Sequence, residues 1–262
     1  MTLTAEEQFV GPYHKLKRAR DHLIDLEQYE RSFFETNRPT IVIETDPMTG
    51  HQIAKVKLTV KPPEIIHVLV AEIIYHLRSS LDQIAVALGR LSASKPNVKK
   101  TYFPTGDRFK AFRADRMKKL AGVDKDLVLL VVKLKPYGGG NDLLRSVFPL
   151  ANEDKHLELI AMAASGQITG IQGYTFVNAS IALDEGPRAL HDDITFAQFY
   201  APGGIIPNDD NSQVKVNGRI TFGNVAGLHG IPVISRLEEL TQLIEKVLEV
   251  FVTHCRTTGR VS

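Results

Sequence analysis

The sequence has little of what identifies the common functional classes. Its 262 residues include a single cysteine, Cys255, which excludes an internal disulfide and fits a reducing compartment. The formal net charge is only +2, so no overall field favours a nucleic acid or a membrane. No apolar run approaches the roughly 20 residues of a membrane span, and residues 1–11 lack the pattern of a secretory signal. We therefore expect a soluble, cytoplasmic protein of bacterial type without a membrane partner.

Sharp catalytic motifs are missing as well. Gly138-Gly139-Gly140 lacks the lysine and serine of a phosphate-binding loop and follows no clear strand. The chain contains no His-Glu-x-x-His metal motif and no Gly-x-Ser-x-Gly nucleophile elbow. Cys255 has only His254 beside it, and adjacent residues on a helix do not face each other. We predict no cysteine nucleophile and no cofactor, and we assign no metal ligands.

The hydrophobic pattern predicts an α+β fold with a bundle of about four long helices. We expect the first helix to begin at Pro12, because the N–H groups of a first turn have no partner within the helix and proline lacks this N–H. We expect Pro149 to divide the third long helix. The long helices are predicted at 12–36, 64–91, 142–164 and 232–253, with shorter ones near 107–120 and 123–135.

Strand signals fall in two segments. The first, residues 40–61, predicts an antiparallel β-hairpin around the turn Asp46–Gly50. The second is the β-rich C-terminal half, in which Asn217-Gly218 predicts a two-residue hairpin turn. We predict one α+β domain over residues 1–262. Its helical core would be residues 12–165 plus 232–257, with β insertions near 40–61 and 167–224.

The second helix is apolar nearly all round, yet it carries a polar cluster. Glu72 and His76 are four residues apart, as are Arg78 and Asp82, so each pair can meet on the helix surface. A Glu–His pair would favour the protonated imidazole, and an Arg–Asp pair would balance two charges in a core. Either these pairs are structural or they line a polar pocket between helices. The first helix adds a polar stripe that we expect to be partly exposed: His14, Arg18 and His22.

A second cluster is the segment Asn-Glu-Asp-Lys-His at residues 152–156. Asn152 suits a helix N-cap, and the acidic residues after it suit a first turn. Capping does not explain Lys155 or His156, and Asp154 is a candidate base. We predict that this segment packs beside the second helix, that His156 shares a pocket with Arg78, and that Arg78 pairs with Asp82 or Asp154.

Residues 95–119 form a basic stretch with nine Lys or Arg and two Asp. Four aromatic residues, Tyr102, Phe103, Phe109 and Phe112, are interleaved with these charges. Such a stretch can hold a nucleic-acid strand by charge and stacking, or it can be a solvated helix face with core aromatics. The candidate binding residues here are Lys99, Lys100, Arg108 and Lys110.

Several segments, in their order along the chain, resemble an uncharacterised bacterial protein family with H-x-L-R-S-x-L-D and N-x-D-K-H helical motifs. They are RARDHLIDLE, YHLRSSLDQIA, YFP, LKPY and LANEDKHLEL, and they cover about residues 15–165. A weaker resemblance links the family's Arg-x4-His spacing to HEPN-type helical domains, many of which are ribonucleases. Here Arg78 is followed five residues later by Gln83, which cannot act as a general acid or base.

Three functions stay open from the sequence. In the HEPN-like hypothesis, RNA is the partner, Arg78 holds a phosphate, and His156 or His76 transfers protons. The alternative is a non-catalytic binding or assembly module. A homodimer is also possible. A further alternative is a metal-dependent hydrolase that uses His76, Asp82, Asp154 and His156.

Overall fold

The chain is an α+β protein, as its hydrophobic pattern predicts. The computed structural model describes residues 4–58, 60, 62–156, 162–183, 188–189, 194–208, 213–223 and 228–261. The helices in this part are α1 Ala5–Thr36, α2 Ile65–Leu91, α3 Phe109–Lys119, α4 Lys125–Lys133, α5 Asp142–His156 and α6 Val233–Thr257. The strands are β1 Thr40–Thr45, β2 Gln52–Leu58, β3 Met162–Gln172, β4 Tyr174–Phe176, β5 Ser180–Leu183, β6 Arg188–Ala189, β7 Ile194–Ala201, β8 Ile205–Pro207 and β9 Gln213–Phe222.

Helix α1 begins seven residues before the predicted start at Pro12. Thr4 Oγ1 accepts a hydrogen bond from the N–H of Glu7, and the Glu7 carboxylate accepts one from the Thr4 N–H. This reciprocal capping box satisfies two of the free N–H groups at the helix start. Pro12 therefore lies inside the helix, and Phe9 departs from helical geometry (φ −106°, ψ 15°). A proline ring clashes with the turn before it, which accounts for the kink.

Helix α2 matches its prediction closely, from Ile65 to Leu91. Its buried face repeats at spacings of three and four residues, which is the pattern of one side of a helix. The fully buried members of this face are Ile66, Val70, Ile73, Ile74, Leu77, Leu81, Ile84 and Leu88.

Helix α5 differs from its prediction at both the interior and the end. It runs without a break through Pro149, because buried residues on both sides of the proline, including Phe148 and Leu150, hold it in place. Asn152 is therefore inside the helix, and its predicted role as an N-cap is wrong. Asn141 is the residue that caps α5, since its Oδ1 accepts a hydrogen bond from the N–H of Leu144 at 2.9 Å. Residues 162–164, predicted as helix, belong to β3.

The predicted hairpin of residues 40–61 is confirmed. Strands β1 and β2 pair antiparallel, and the Asp46 carboxylate accepts hydrogen bonds from Met48 and Thr49 in the turn. Gly50 has a φ of +71°, which glycine adopts without a steric penalty. The hairpin then joins a four-stranded sheet in the order β1-β2-β7-β5.

The two-residue turn predicted at Asn217-Gly218 is wrong, because β9 continues through both residues. Gly166 lies opposite Gly218 in the antiparallel pairing of β3 with β9. A Cβ atom on Gly218 would lie 2.2 Å from the Phe34 ring, so the glycine makes room for an aromatic side chain. The glycine here serves close packing in a strand and not a turn.

The chain divides into two units, each with its own contacts. The first is largely helical and comprises Met1–Asp25, Val68–Leu159 and Ser235–Ser262. The second contains the sheets and comprises Leu26–His67 and Ile160–Ile234. The single domain expected over residues 1–262 stays a prediction. No helix in the described part of the chain is long and apolar enough to cross a membrane.

Candidate functional site

The polar cluster of α2 is built around Asp82, which bonds to two other groups. The Arg78 Nε lies 3.3 Å from Asp82 Oδ2, which confirms the predicted pair. Asp82 Oδ1 accepts a hydrogen bond from the Phe103 N–H at 3.0 Å. The Arg78 guanidinium also lies 4.4 Å from the centre of the Phe148 ring, which stacks on Phe103. These contacts join the α2 motif to the Tyr-Phe-Pro segment and to α5.

The contact between Arg78 and Phe148 places α5 beside α2. His156 comes eight residues after Phe148, a rise of about 12 Å along a helix. The side chains of Asp154, Lys155 and His156 lie outside the described residues, and Asn152 is exposed. The shared pocket of Arg78 and His156 therefore stays a prediction.

Gln83 stands where an Arg-x4-His spacing would place a histidine, and it has a packing role. Its side-chain oxygen lies 2.1 Å from the position that a Cβ on Gly11 would take, so Gln83 occupies the space beside this glycine. Its amide nitrogen is 3.4 Å from Ser79 Oγ. Ser80, from the same turn, bonds to the Pro12 carbonyl of α1. This turn of α2 therefore serves the contact between the two helices.

Two histidines stack between α1 and α2, and sequence reasoning missed this contact. The rings of His22 and His76 are 5.6 Å apart and nearly parallel, and His22 Nε2 lies 3.3 Å from Glu72 Oε2. The predicted stripe is partly exposed, since His14 and Arg18 are exposed while the His22 side chain is half-buried at 12% exposure. Burial, together with the positive charges of Lys15, His22 and Arg18, lowers the pKa of His76. Glu72 raises this pKa, as expected for a Glu–His pair, but burial and the neighbouring cations outweigh it, so the net shift favours the neutral ring.

The basic stretch forms a second candidate site, centred on α3. We define the α3 face as Phe109, Lys110, Arg113, Arg116 and Met117, which share one side of the helix at spacings of three and four residues. Phe109 is 54% exposed and Met117 66% exposed. Lys110 and Arg113 are exposed and Arg116 is half-buried. Large apolar side chains are thus interleaved with cations on an open surface.

The four aromatic residues of the stretch divide between core and surface. Phe103 and Phe112 are fully buried, whereas Tyr102 is 46% exposed and Phe109 is on the α3 face. The alternative of core aromatics therefore holds for Phe103 and Phe112, and nucleic-acid binding by the stretch stays a prediction. The predicted binding residues are all exposed on it: Lys99, Lys100, Arg108 and Lys110.

The opposite side of α3 is anchored to the protein. Asp115 accepts a hydrogen bond from the Thr105 N–H at 3.0 Å and pairs with Lys119 at 2.9 Å. Arg145 of α5 pairs with Asp107, in the loop that leads into α3. The helix is therefore held at its start and along its inner side.

Two loops meet at the start of α3. Gly106 accepts a hydrogen bond from the Gly138 N–H at 3.2 Å, so the Tyr-Phe-Pro-Thr-Gly and Pro-Tyr-Gly-Gly segments form a short bridge. A Cβ on Gly106 would lie 2.3 Å from the backbone nitrogen of Phe112, so only glycine fits there. The Tyr137 ring lies 5.4 Å from the rings of both Phe109 and Phe112. Sequence reasoning had given the glycine loop no role.

A groove of about 400 Å³ lies between α1 and α6. It has an apolar floor that includes Leu16 and Leu248, and Arg20 Nε lies 2.5 Å from Glu245 Oε1 at its edge. Arg20 and Glu245 are therefore paired with each other, and Lys17, which also lines the groove, is paired with Asp21.

Metal-dependent chemistry finds no support among the side chains that the structure describes. No group of three or more His, Cys, Asp or Glu residues there lies in position to hold a metal ion. His76 and Asp82 are committed to separate contacts. Burial raises the pKa of Cys255 to about 11, which suits a packed thiol.

Comparisons with known proteins add no assignment. No protein-family model matches the sequence, and no curated protein or solved structure is significantly similar to it. The resemblances drawn from the motifs stay predictions.

Proposed function

We propose that the protein binds RNA through the α3 face and that it does so as a binding module. The observation that carries this proposal is the open arrangement of Phe109 and Met117 among Lys110 and Arg113. Cations neutralise phosphates, and exposed apolar rings supply contacts that need no particular sequence. The α3 face is the part of the basic stretch that would contact RNA, and binding there does not require cleavage.

The charges of α3 are available to an external anion. Among the described residues, Lys110 and Arg113 have no carboxylate within ion-pair distance, whereas Lys119 is paired with Asp115. Each phosphate contact lowers the slope of log K against log salt by about 0.7 for a single strand. Two such contacts therefore contribute about 1.4 to the slope.

The contacts of Arg78 favour a structural role over a catalytic one. Its side chain is 22% exposed, pairs with Asp82 and lies on the Phe148 ring. The catalytic roles of Arg78, His76, Asp154 and His156 stay predictions, and the binding proposal does not need them.

The test measures fluorescence anisotropy of a labelled 20-nucleotide RNA at several salt concentrations between about 50 and 200 mM. We expect the double variant Lys110→Ala/Arg113→Ala to lose about tenfold or more in affinity and about 1.4 in slope. The matched control is Lys133→Ala/Lys246→Ala, which removes the same charge from exposed positions on α4 and α6.

An equal loss in both double variants would mean that only net charge matters, and the α3 face would be the wrong surface. A wild-type protein that binds no RNA would overturn the proposal and direct attention to a protein partner for the exposed Phe109 and Met117. Gels of the same samples report cleavage. RNA that is cut by the wild type and left intact by Arg78→Ala would restore the catalytic hypothesis.

A further inference from the structure

We infer that the Phe109 ring is a base-stacking platform, which makes the α3 face selective for single-stranded over duplex RNA. This inference rests on the proposed function and names its substrate class. It gives Phe109, whose exposure already supports RNA binding, a specific role in recognising unpaired bases.

The Phe109 ring is supported on its inner side and open on its outer side. Tyr137 contacts it edge-on, with ring centres 5.4 Å apart and planes at 66°, and Phe112 lies 6.5 Å away. Phe112 is itself fully buried, while Phe109 remains 54% exposed. A ring held this way loses little conformational freedom when a base stacks on it.

Backbone contacts hold the loop that carries Tyr137 beside α3. The Gly138 N–H donates to the Gly106 carbonyl, and Gly106 lies directly against the α3 backbone at Phe112. The Tyr137 ring that contacts Phe109 is therefore part of a loop that is attached to the first turn of α3.

Two cations lie beside Phe109 on the same face of α3. Arg113 follows Phe109 by one helical turn, which places the two side chains next to each other, about 5–6 Å apart at Cβ. Lys110 is the next residue and is also exposed. An unpaired base on Phe109 would leave its own phosphate within reach of these two side chains.

This arrangement distinguishes single strands from duplexes. In an A-form helix each base is already stacked and paired, so it offers no free face to Phe109. Duplex RNA can then use only the cations. Stacking of a base on an aromatic ring contributes about 5-fold to 150-fold in affinity, and only the single strand gains it.

The experiment compares Phe109→Ala with the wild type on a labelled single-stranded oligo(A) and on a duplex RNA of equal length. We expect the single strand to lose between about 5-fold and about 150-fold in affinity and the duplex to change little. Tyr29→Ala is the control, because it removes another exposed aromatic ring, 44% exposed, from α1. Circular dichroism establishes that each variant is folded.

A second measurement uses the absence of tryptophan from the chain. Phe109→Trp introduces a single tryptophan at the platform, where it can still stack. We expect this variant to retain the affinity for oligo(A) and its fluorescence to fall on binding.

Retained affinity in Phe109→Ala, an equal loss on duplex RNA, or unchanged tryptophan fluorescence on binding would each overturn the stacking inference. The salt-dependent loss in Lys110→Ala/Arg113→Ala would still uphold RNA binding in those cases. If the wild-type protein binds neither RNA, the inference and the proposed function fail together.

Discussion

Removal of the Asp82 carboxylate should destabilise the protein through the loss of two interactions that can be measured separately. The carboxylate accepts a hydrogen bond from the Phe103 N–H and pairs with Arg78, and both charged side chains are about one-quarter exposed (22% and 24%). A hydrogen bond to a charged group contributes about 1.5–3 kcal/mol, and a partly exposed ion pair contributes about 1 kcal/mol or less. We expect Asp82→Ala to lower the free energy of unfolding by about 2–3 kcal/mol. Asp82→Asn, whose amide oxygen can still accept from Phe103, should lose about 1 kcal/mol.

The assay is urea denaturation followed by circular dichroism, with equal m-values required for the comparison. A double-mutant cycle of Arg78→Met and Asp82→Asn isolates the pair, because methionine keeps most of the apolar contact with Phe148. We expect a coupling energy of about 0.5–1 kcal/mol. Equal losses for Asp82→Asn and Asp82→Ala would refute the role of the Phe103 hydrogen bond. A coupling energy of zero would refute the ion pair.

Three further predictions concern other parts of the first unit. Folding lowers the pKa of His76 below its ordinary value of 6.5, so the unfolded chain binds this proton more readily than the folded chain. The contribution of the neutral His76 to the free energy of unfolding is therefore complete above about pH 6.5 and is lost as the pH falls. His76→Gln should therefore flatten the fall in unfolding free energy between about pH 7 and pH 5 in urea titrations, and an unchanged slope would contradict this. Gly106→Ala should lower the free energy of unfolding by about 1–3 kcal/mol and weaken RNA binding, because the added Cβ would lie 2.3 Å from the backbone nitrogen of Phe112. Gly139→Ala is a comparison in the neighbouring loop: its Cβ would meet no atom within 4 Å, so it reports only the strain of a positive φ. Arg260→Ala removes bonds to Asp124, Asp126 and the Leu91 carbonyl and should lower the thermal midpoint by a few degrees; an unchanged midpoint would mean that this contact contributes nothing.

The predictions that held depend on patterns that local physics enforces. The ends of helix α2 were predicted to within one residue because apolar residues that recur every three and four positions are the pattern of one face of a helix. The β1–β2 hairpin was predicted correctly because two residues favour a turn independently: the Asp46 carboxylate accepts a hydrogen bond from the Met48 N–H, and Gly50 adopts a positive φ. The pairing of Arg78 with Asp82 follows from a four-residue spacing on a helix.

The predictions that failed needed knowledge of distant residues. Asn217-Gly218 has a strong local preference for a turn, but Phe34, far away in the sequence, packs on the glycine and fits it to a strand. The stacking of His22 on His76 of α2 was not predicted, because the two residues are 54 positions apart in the sequence. The partners of the basic stretch escaped notice in the same way, because the glycine loop that supports Phe109 through Tyr137 is about 30 residues downstream.

The order β1-β2-β7-β5 also imposes a delay during synthesis. Leu58 of β2 pairs with Ile194 of β7, roughly 135 residues later in the chain. At about 5–20 residues per second, a ribosome takes about 7–27 s to produce that partner after the hairpin is complete. Throughout this interval the β2 edge, with Ile53, Ala54 and Val56, has no strand to pair with. An unpaired edge can accept a strand from another chain, so the hairpin is open to such pairing until β7 emerges.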